Sequence, residues 1–160
     1  MGDGMNVAKA VKTWEELYMT SSIVIRAWEI ELAPSGLTLP QTLVLYSLVK
    51  SRETPTLQEL AQMMCREPHS ISALVSRMEA DGLVRKKRDS KNVRQVRVSL
   101  TKKGRQSIQN QLALRATRDI MRTVSERELD TLHSICDKMR SEAFRLIREI
   151  RPTPYDAPLE

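Results

Sequence analysis

Apolar side chains recur at three- and four-residue spacing from Val7 to Leu32, through Val11, Trp14, Leu17, Tyr18, Ile25 and Trp28, and that period predicts a long first helix. Pro34-Ser35-Gly36 ends it. Thr38-Leu39-Pro40-Gln41 has the form of a capping box, with a threonine at the cap, a glutamine three residues on and proline in the first turn. It opens a second helix from Leu39 to about Lys50, almost wholly apolar around Leu43, Val44, Leu45, Leu48 and Val49 and therefore a core helix. After a break over residues 51–55, Thr56-Leu57-Gln58-Glu59 is another capping box and predicts a third helix over Leu57 to Met64. Pro68 then suits the first position of a fourth helix that runs to Ala80 and stops at Asp81-Gly82, where glycine supplies a left-handed cap.

Beyond Gly82 the period changes. Val96, Val98 and Leu100 alternate with Gln95, Arg97 and Ser99, so Arg94 to Leu100 reads as a half-buried strand. Val84 to Arg88 reads as its partner, joined to it through the turn residues Asp89-Ser90-Lys91-Asn92. Thr101 caps a long helix from Lys102 to about Thr123, in which Gly104 is an unhelpful residue. Ser125-Glu126-Arg127-Glu128 is a further capping box, and the stripe Leu129, Leu132, Ile135, Cys136, Met139, Ala143, Leu146, Ile147 and Ile150 carries a last helix to Arg151. The proline-rich stretch Pro152 to Pro158 is expected to be extended.

Two short helices separated by three or four residues have helix-turn-helix spacing, and the hairpin that follows is a wing. The expected fold is mainly α with a small β-hairpin wing: a winged helix-turn-helix lobe over 37–101, a helical dimerisation region formed by 1–36 and 102–151, and an extended tail over 152–160. The helices at both ends carry more apolar surface than so small a lobe can cover, which points to pairing with a second copy through residues such as Trp14, Leu17, Leu132, Met139 and Ile147.

Composition narrows the class. Hydrophobic residues make up 41% of 160 and charged ones 29%, an ordinary globular balance, and no apolar run approaches the ~20 residues that span a bilayer. The N-terminal residues lack the pattern of a secretory signal and two cysteines make no disulfide framework, so a cytoplasmic protein is expected. Charge changes the picture more. Of the net +6, the segment Arg85–Arg105 alone holds +9, from Arg85, Lys86, Lys87, Arg88, Lys91, Arg94, Arg97, Lys102, Lys103 and Arg105 against Asp89, while the rest of the chain sums to −3. Such concentration on one segment is the footprint of a polyanion.

A helix fits the major groove of DNA, and a basic hairpin can enter the minor groove or follow the phosphates. The outward face of the fourth helix therefore offers Pro68, His69, Ser70, Ser72, Ala73, Ser76 and Arg77 for base contacts, with Ile71, Leu74, Val75 and Met78 packing inward. The wing offers Arg88, Lys91, Arg94 and Arg97.

Six blocks in register carry a resemblance: Leu37-Thr38-Leu39-Pro40-Gln41, Glu59-Leu60-Ala61, Ser70-Ile71-Ser72, Arg77-Met78-Glu79, Gly82-Leu83-Val84 and Leu100-Thr101-Lys102-Lys103-Gly104. In these the chain resembles the MarR family of bacterial transcriptional regulators over about Leu37 to Gly104. The resemblance implies an obligate homodimer, interlocked by its first and last helices, whose two winged lobes grip a palindromic site. It also implies, for many members, release from DNA by a small anionic or lipophilic molecule or through a cysteine. The wing departs from the family pattern, since Asn92-Val93-Arg94 stands where an Asp-Arg-Arg run is common. Arg94 remains, without the acid that would orient it.

The expected function is thus a dimeric regulator, a repressor, on double-stranded DNA, with no cofactor and no membrane partner and with an effector that the sequence does not identify. The alternative is a winged-helix interaction module that binds nucleic acid non-specifically or an acidic protein. No Ser-His-Asp set, phosphate loop or paired carboxylates suggest an enzyme. Cys65-His69 and His133-Cys136 are each half of a metal site, too far apart in sequence to be read as one. Cys65, beside Arg66, and Cys136 read as small buried hydrophobes, and the first helix lacks the cysteine by which peroxide-sensing relatives resemble one another. Trp14, Tyr18, Met19, Trp28 and Tyr46 read as core, interface or the lining of an effector pocket.

Overall fold

A computed structural model describes residues 6–90, 92–109 and 115–150. Its helices are α1 (Val7–Leu32), α2 (Leu39–Lys50), α3 (Leu57–Met63), α4 (Pro68–Ala80), α5 (Lys102–Gln109), α6 (Arg115–Met121) and α7 (Glu126–Ile150), with strands β1 (Val84–Arg88) and β2 (Val96–Leu100) between α4 and α5. Each predicted capping box closes at the backbone. Gln41 N–H donates to Thr38 Oγ1 and Thr38 N–H to Gln41 Oε1; Thr56 pairs in the same way with Glu59, and Ser125 with Glu128. These bonds satisfy helix-terminal N–H groups that have no partner within the helix. Gly82 takes the expected left-handed conformation at φ 72°.

The core lies in the winged lobe. Leu37, Val44, Leu45, Leu48, Leu60, Ala61, Ile71, Val75, Met78, Leu83, Val84, Val98 and Ile108 form one buried cluster, on which Leu57, Met64, Leu74 and Leu100 pack. Burying each of the larger side chains stabilises the lobe by about 1.5–3 kcal/mol. The terminal helices contrast with it. Leu32 is the buried residue of α1, and no described side chain of α7 is buried. The amino end of α6 is tied to the end of α1, where Glu31 accepts from the backbone N–H groups of Arg115 and Ala116 and the Trp28 indole donates to Thr117.

Some boundaries differ from the sequence expectation. The second strand begins at Val96 rather than Arg94, because Gln95 closes the turn by donating to the Asn92 carbonyl. The helix expected to reach Thr123 ends at Met121; residues 110–114, between α5 and α6, lie outside the described residues, as does the tail expected to be extended. Gly104 is far from unhelpful. A Cβ there would stand 2.0 Å from the Leu83 carbonyl oxygen, so only glycine lets α5 approach the corner between α4 and β1 so closely.

Candidate nucleic-acid interface

The recognition helix is oriented by its own apolar stripe. Ile71, Val75 and Met78 are buried against α2, α3 and β1, which turns the opposite side of α4 to solvent. His69, Ser70, Ala73, Ser76 and Arg77 are exposed there, while Pro68 and Ser72 are half-buried at its margins. The turn before α4 carries a correction: Cys65 is exposed, not a buried hydrophobe, at a left-handed φ of 49° that projects it from the helix-turn-helix corner. Cys136 is half-buried on α7. Among the described residues no group of three or more His, Cys, Asp or Glu is placed to hold a metal ion.

The wing is rooted on both edges. Val84 pairs with Leu100, Lys86 with Val98 and Arg88 with Val96 in the antiparallel ladder. On its other edge β2 meets the segment before α3, where Val98 N–H donates to the Pro55 carbonyl at 2.9 Å and Arg97 bridges to Thr56. The wing loop folds on Asp89, whose Oδ1 accepts from Asn92 N–H at 3.1 Å, and on Asn92, whose Oδ1 accepts from Arg94 N–H at 3.2 Å. Asn92 therefore shapes the backbone at Arg94, although it lacks a carboxylate to orient that guanidinium.

Arg97 differs from the other wing cations. Its guanidinium donates to Asp89, a carboxylate only 5% exposed, and to the Thr54 carbonyl at 2.6 Å. The bond to Asp89 raises the Arg97 pKa above its ordinary value. It thus joins the wing loop to the entry of α3, rather than standing free for a phosphate. By contrast Arg85, Lys87, Arg88 and Arg94 are exposed and make no ion pair among the described residues, and Arg77 on α4 is the same. Lys91 lies outside the described residues.

Sequence reasoning missed a link between the two elements. Lys86 on β1 places its ammonium 3.1 Å from Glu79 Oε2 and 3.0 Å from Ser76 Oγ, while its backbone N–H donates to Glu79 Oε1 at 2.7 Å. The backbone bond, then the side-chain bond, hold the Glu79 carboxyl below its ordinary pKa. Glu79 and Lys86 stand seven positions apart on different elements, so neither a helical nor a strand period relates them.

The residues expected at a dimer interface remain uncovered. Trp14 is 62% exposed, Leu17 39%, Leu132 and Met139 42% and Ile147 47%, and Val11, Ile23 and Ile135 are exposed beside them. Tyr18 and Met19 face solvent on α1 and Tyr46 stacks under the Lys50 ammonium at 4.4 Å, so these side chains are not gathered into one core.

Comparison with known proteins agrees with this geometry. A family model described as MarR family matches residues 37–96. The HTH-type transcriptional regulator TtmR of Methylorubrum extorquens is 36% identical over 89 residues, 56% of this chain and 45% of that protein. The organic hydroperoxide resistance transcriptional regulator of Bacillus subtilis is 30% identical over 88 residues, 55% of this chain and 59% of its own length. The chain thus spans about half the length of the curated relatives it matches. An organohalide-sensing transcriptional regulator in its ligand-free form superposes with a TM-score of 0.80 at 25% identity, over 100% of this chain and 93% of that one. Through its winged helix-turn-helix lobe, with α3 and α4 followed by the β1–β2 wing, the chain matches the MarR family over residues 37–96.

Proposed function

We propose that the protein is a sequence-specific DNA-binding regulator, a repressor, that acts as a homodimer on a pseudo-palindromic site in the cytoplasm. One observation carries the reading: the exposed side of α4 (His69, Ser70, Ala73, Ser76, Arg77) is flanked by a hairpin whose cations Arg85, Lys87, Arg88 and Arg94 have no acidic partner among the described residues. Pro68 and Ser72 belong to the margin of the same helix surface, and Lys91 to the same basic loop. A helix of this kind suits the major groove, and unneutralised cations beside it suit phosphates or the minor groove. Arg97 takes part as the anchor of the wing.

Dimerisation belongs to the same reading because α1 and α7 leave long apolar faces uncovered, well beyond the scattered apolar residues of a monomer surface. Release by a small organic effector fits as well, given the whole-chain likeness to an organohalide-sensing regulator.

Titration of variants against preferred and random duplexes at several salt concentrations tests the reading. Arg94→Ala should weaken binding to all sequences alike and flatten the log K against log salt plot by about one unit. Arg77→Ala should cost about 1–3 kcal/mol on the preferred site and relax preference at one base pair of each half-site. Identical profiles for the two variants, or no palindrome preferred over random DNA by ~10³, would favour a non-specific interaction module instead.

A further inference from the structure

Among the described residues Lys86 is the one wing cation that reaches back to the recognition helix, and what it does there follows from hydrogen-bond chemistry. An ammonium has three donors and no acceptor; a serine hydroxyl has one donor and two acceptor lone pairs. At 3.0 Å from Lys86 Nζ, Ser76 Oγ can only be the acceptor. The hydroxyl hydrogen must then point away from Lys86, and Ser76 donates it to no other described residue. Glu79 holds the ammonium in place from one turn further along α4, through Oε2 at 3.1 Å, and fixes the strand behind it by accepting the Lys86 N–H at 2.7 Å. Ser76 itself is exposed, on the stripe with His69 and Ala73 that faces away from the buried Ile71, Val75 and Met78.

We infer that the Lys86–Glu79 pair is a positioning device that biases Ser76 from an ambivalent hydroxyl towards a donor, making Ser76 a specificity determinant of the recognition helix. The inference rests on the DNA-binding reading above and deepens it. In the major groove guanine, adenine and thymine each offer an acceptor, at N7 or O6, N7 and O4, whereas cytosine offers only its amino donor. A serine free to rotate tolerates all four bases. A serine whose oxygen accepts from an ammonium keeps one lone pair, but the bond polarises its O–H and sets a positive charge 3.0 Å from that oxygen, so it donates well to the first three bases and accepts poorly from the cytosine amino group. The penalty is that of a single neutral hydrogen bond left unmade, roughly two- to tenfold in affinity.

The test takes the duplex that wild-type protein selects from random sequence and measures Kd for that duplex and for each single base-pair replacement across one half-site. Wild type should show one position at which cytosine is disfavoured by roughly two- to tenfold. Ser76→Ala and Lys86→Met should each abolish that penalty at that position alone, the double variant should behave as either single one, and Lys86→Arg, still only a donor, should retain it. Should Lys86→Met fail to fold, Lys86→Leu, which likewise has no donor, carries the same expectation. The inference is overturned if Ser76→Ala leaves every base preference intact or weakens all sequences equally, or if it removes the cytosine penalty while Lys86→Met or Lys86→Leu, folded, keeps it. If wild type prefers no duplex over random DNA, the DNA-recognition reading has failed first, and through a different observable.

Discussion

Replacing Gly104 with alanine reverses the usual rule for helices. Within an α-helix alanine is favoured over glycine by about 1 kcal/mol, so the substitution near the start of α5 looks stabilising from the sequence. In the folded chain the added Cβ would lie 2.0 Å from the Leu83 carbonyl oxygen and 3.0 Å from its carbon, more than an ångström inside contact. The obstacle is backbone, which no rotamer change can move aside. Relief requires α5 to withdraw from the α4–β1 corner, stretching the bonds that Thr101 makes from its N–H and its hydroxyl to the same carbonyl, at 3.2 and 3.0 Å. Overpacking of this kind costs up to about 3 kcal/mol, and loosening those bonds about 1 kcal/mol. Against the propensity gain, a net loss of about 1–3 kcal/mol remains, or a Tm lower by roughly 2–12 °C for a chain of this size. Thermal unfolding followed by circular dichroism, at one fixed protein concentration because the proposed dimerisation would shift Tm by mass action, measures it. Gly36→Ala is the control: nothing lies within 4 Å of its Cβ, so only its left-handed φ of 70° acts, costing about 1 kcal/mol. A Gly104→Ala protein as stable as wild type would refute the close approach of α5 to Leu83.

If the proposed dimer forms through α7, charging its uncovered face with Leu132→Glu and Met139→Glu should dissociate it, since each buries an unpaired charge at a cost of about 3 kcal/mol or more, over a hundredfold in Kd; sedimentation velocity that still finds a folded dimer removes these residues from the interface. Thr56→Ala deletes the acceptor for Glu59 N–H at 3.1 Å and should lower unfolding free energy by about 1 kcal/mol, with chemical denaturation as the measure and an unchanged midpoint as the contrary result. Glu79 has a depressed pKa in the folded chain, so its contribution is present above its ordinary value of 4.5 and is lost as pH falls through the lower folded value. Wild type should therefore be more stable than Glu79→Gln at pH 7, and the difference should shrink below about pH 4.5; a difference constant from pH 7 to pH 3 contradicts the role of its charge.

Much of this molecule is written locally. The capping pairs Thr38/Gln41, Thr56/Glu59 and Ser125/Glu128, the proline at the head of α4 and the glycine at its end each act within a few residues of themselves. They therefore set helix starts and stops whatever the rest of the chain does. The 3.6-residue stripe of α4 likewise chose its buried face, and with it the exposed candidates His69, Ser70, Ala73, Ser76 and Arg77.

What lay beyond the sequence depends on residues distant along the chain. That Arg97 is anchored by Asp89 and the Thr54 carbonyl while Arg94 is not, that Lys86 reaches Ser76 and Glu79 across a corner, and that Gly104 must be glycine because Leu83 is beside it are outcomes of packing. Cys65 shows the same limit from the other side. Its residue type suggested burial, and the left-handed turn between α3 and α4 put it in solvent. Hydrophobic period and capping chemistry are set by neighbours three or four residues away, so the chain alone determined the elements and the face each presents. A charge has no period, and whether a cation is free for a polyanion or engaged within the fold is decided only when the tertiary structure brings, or fails to bring, a carboxylate or carbonyl to meet it.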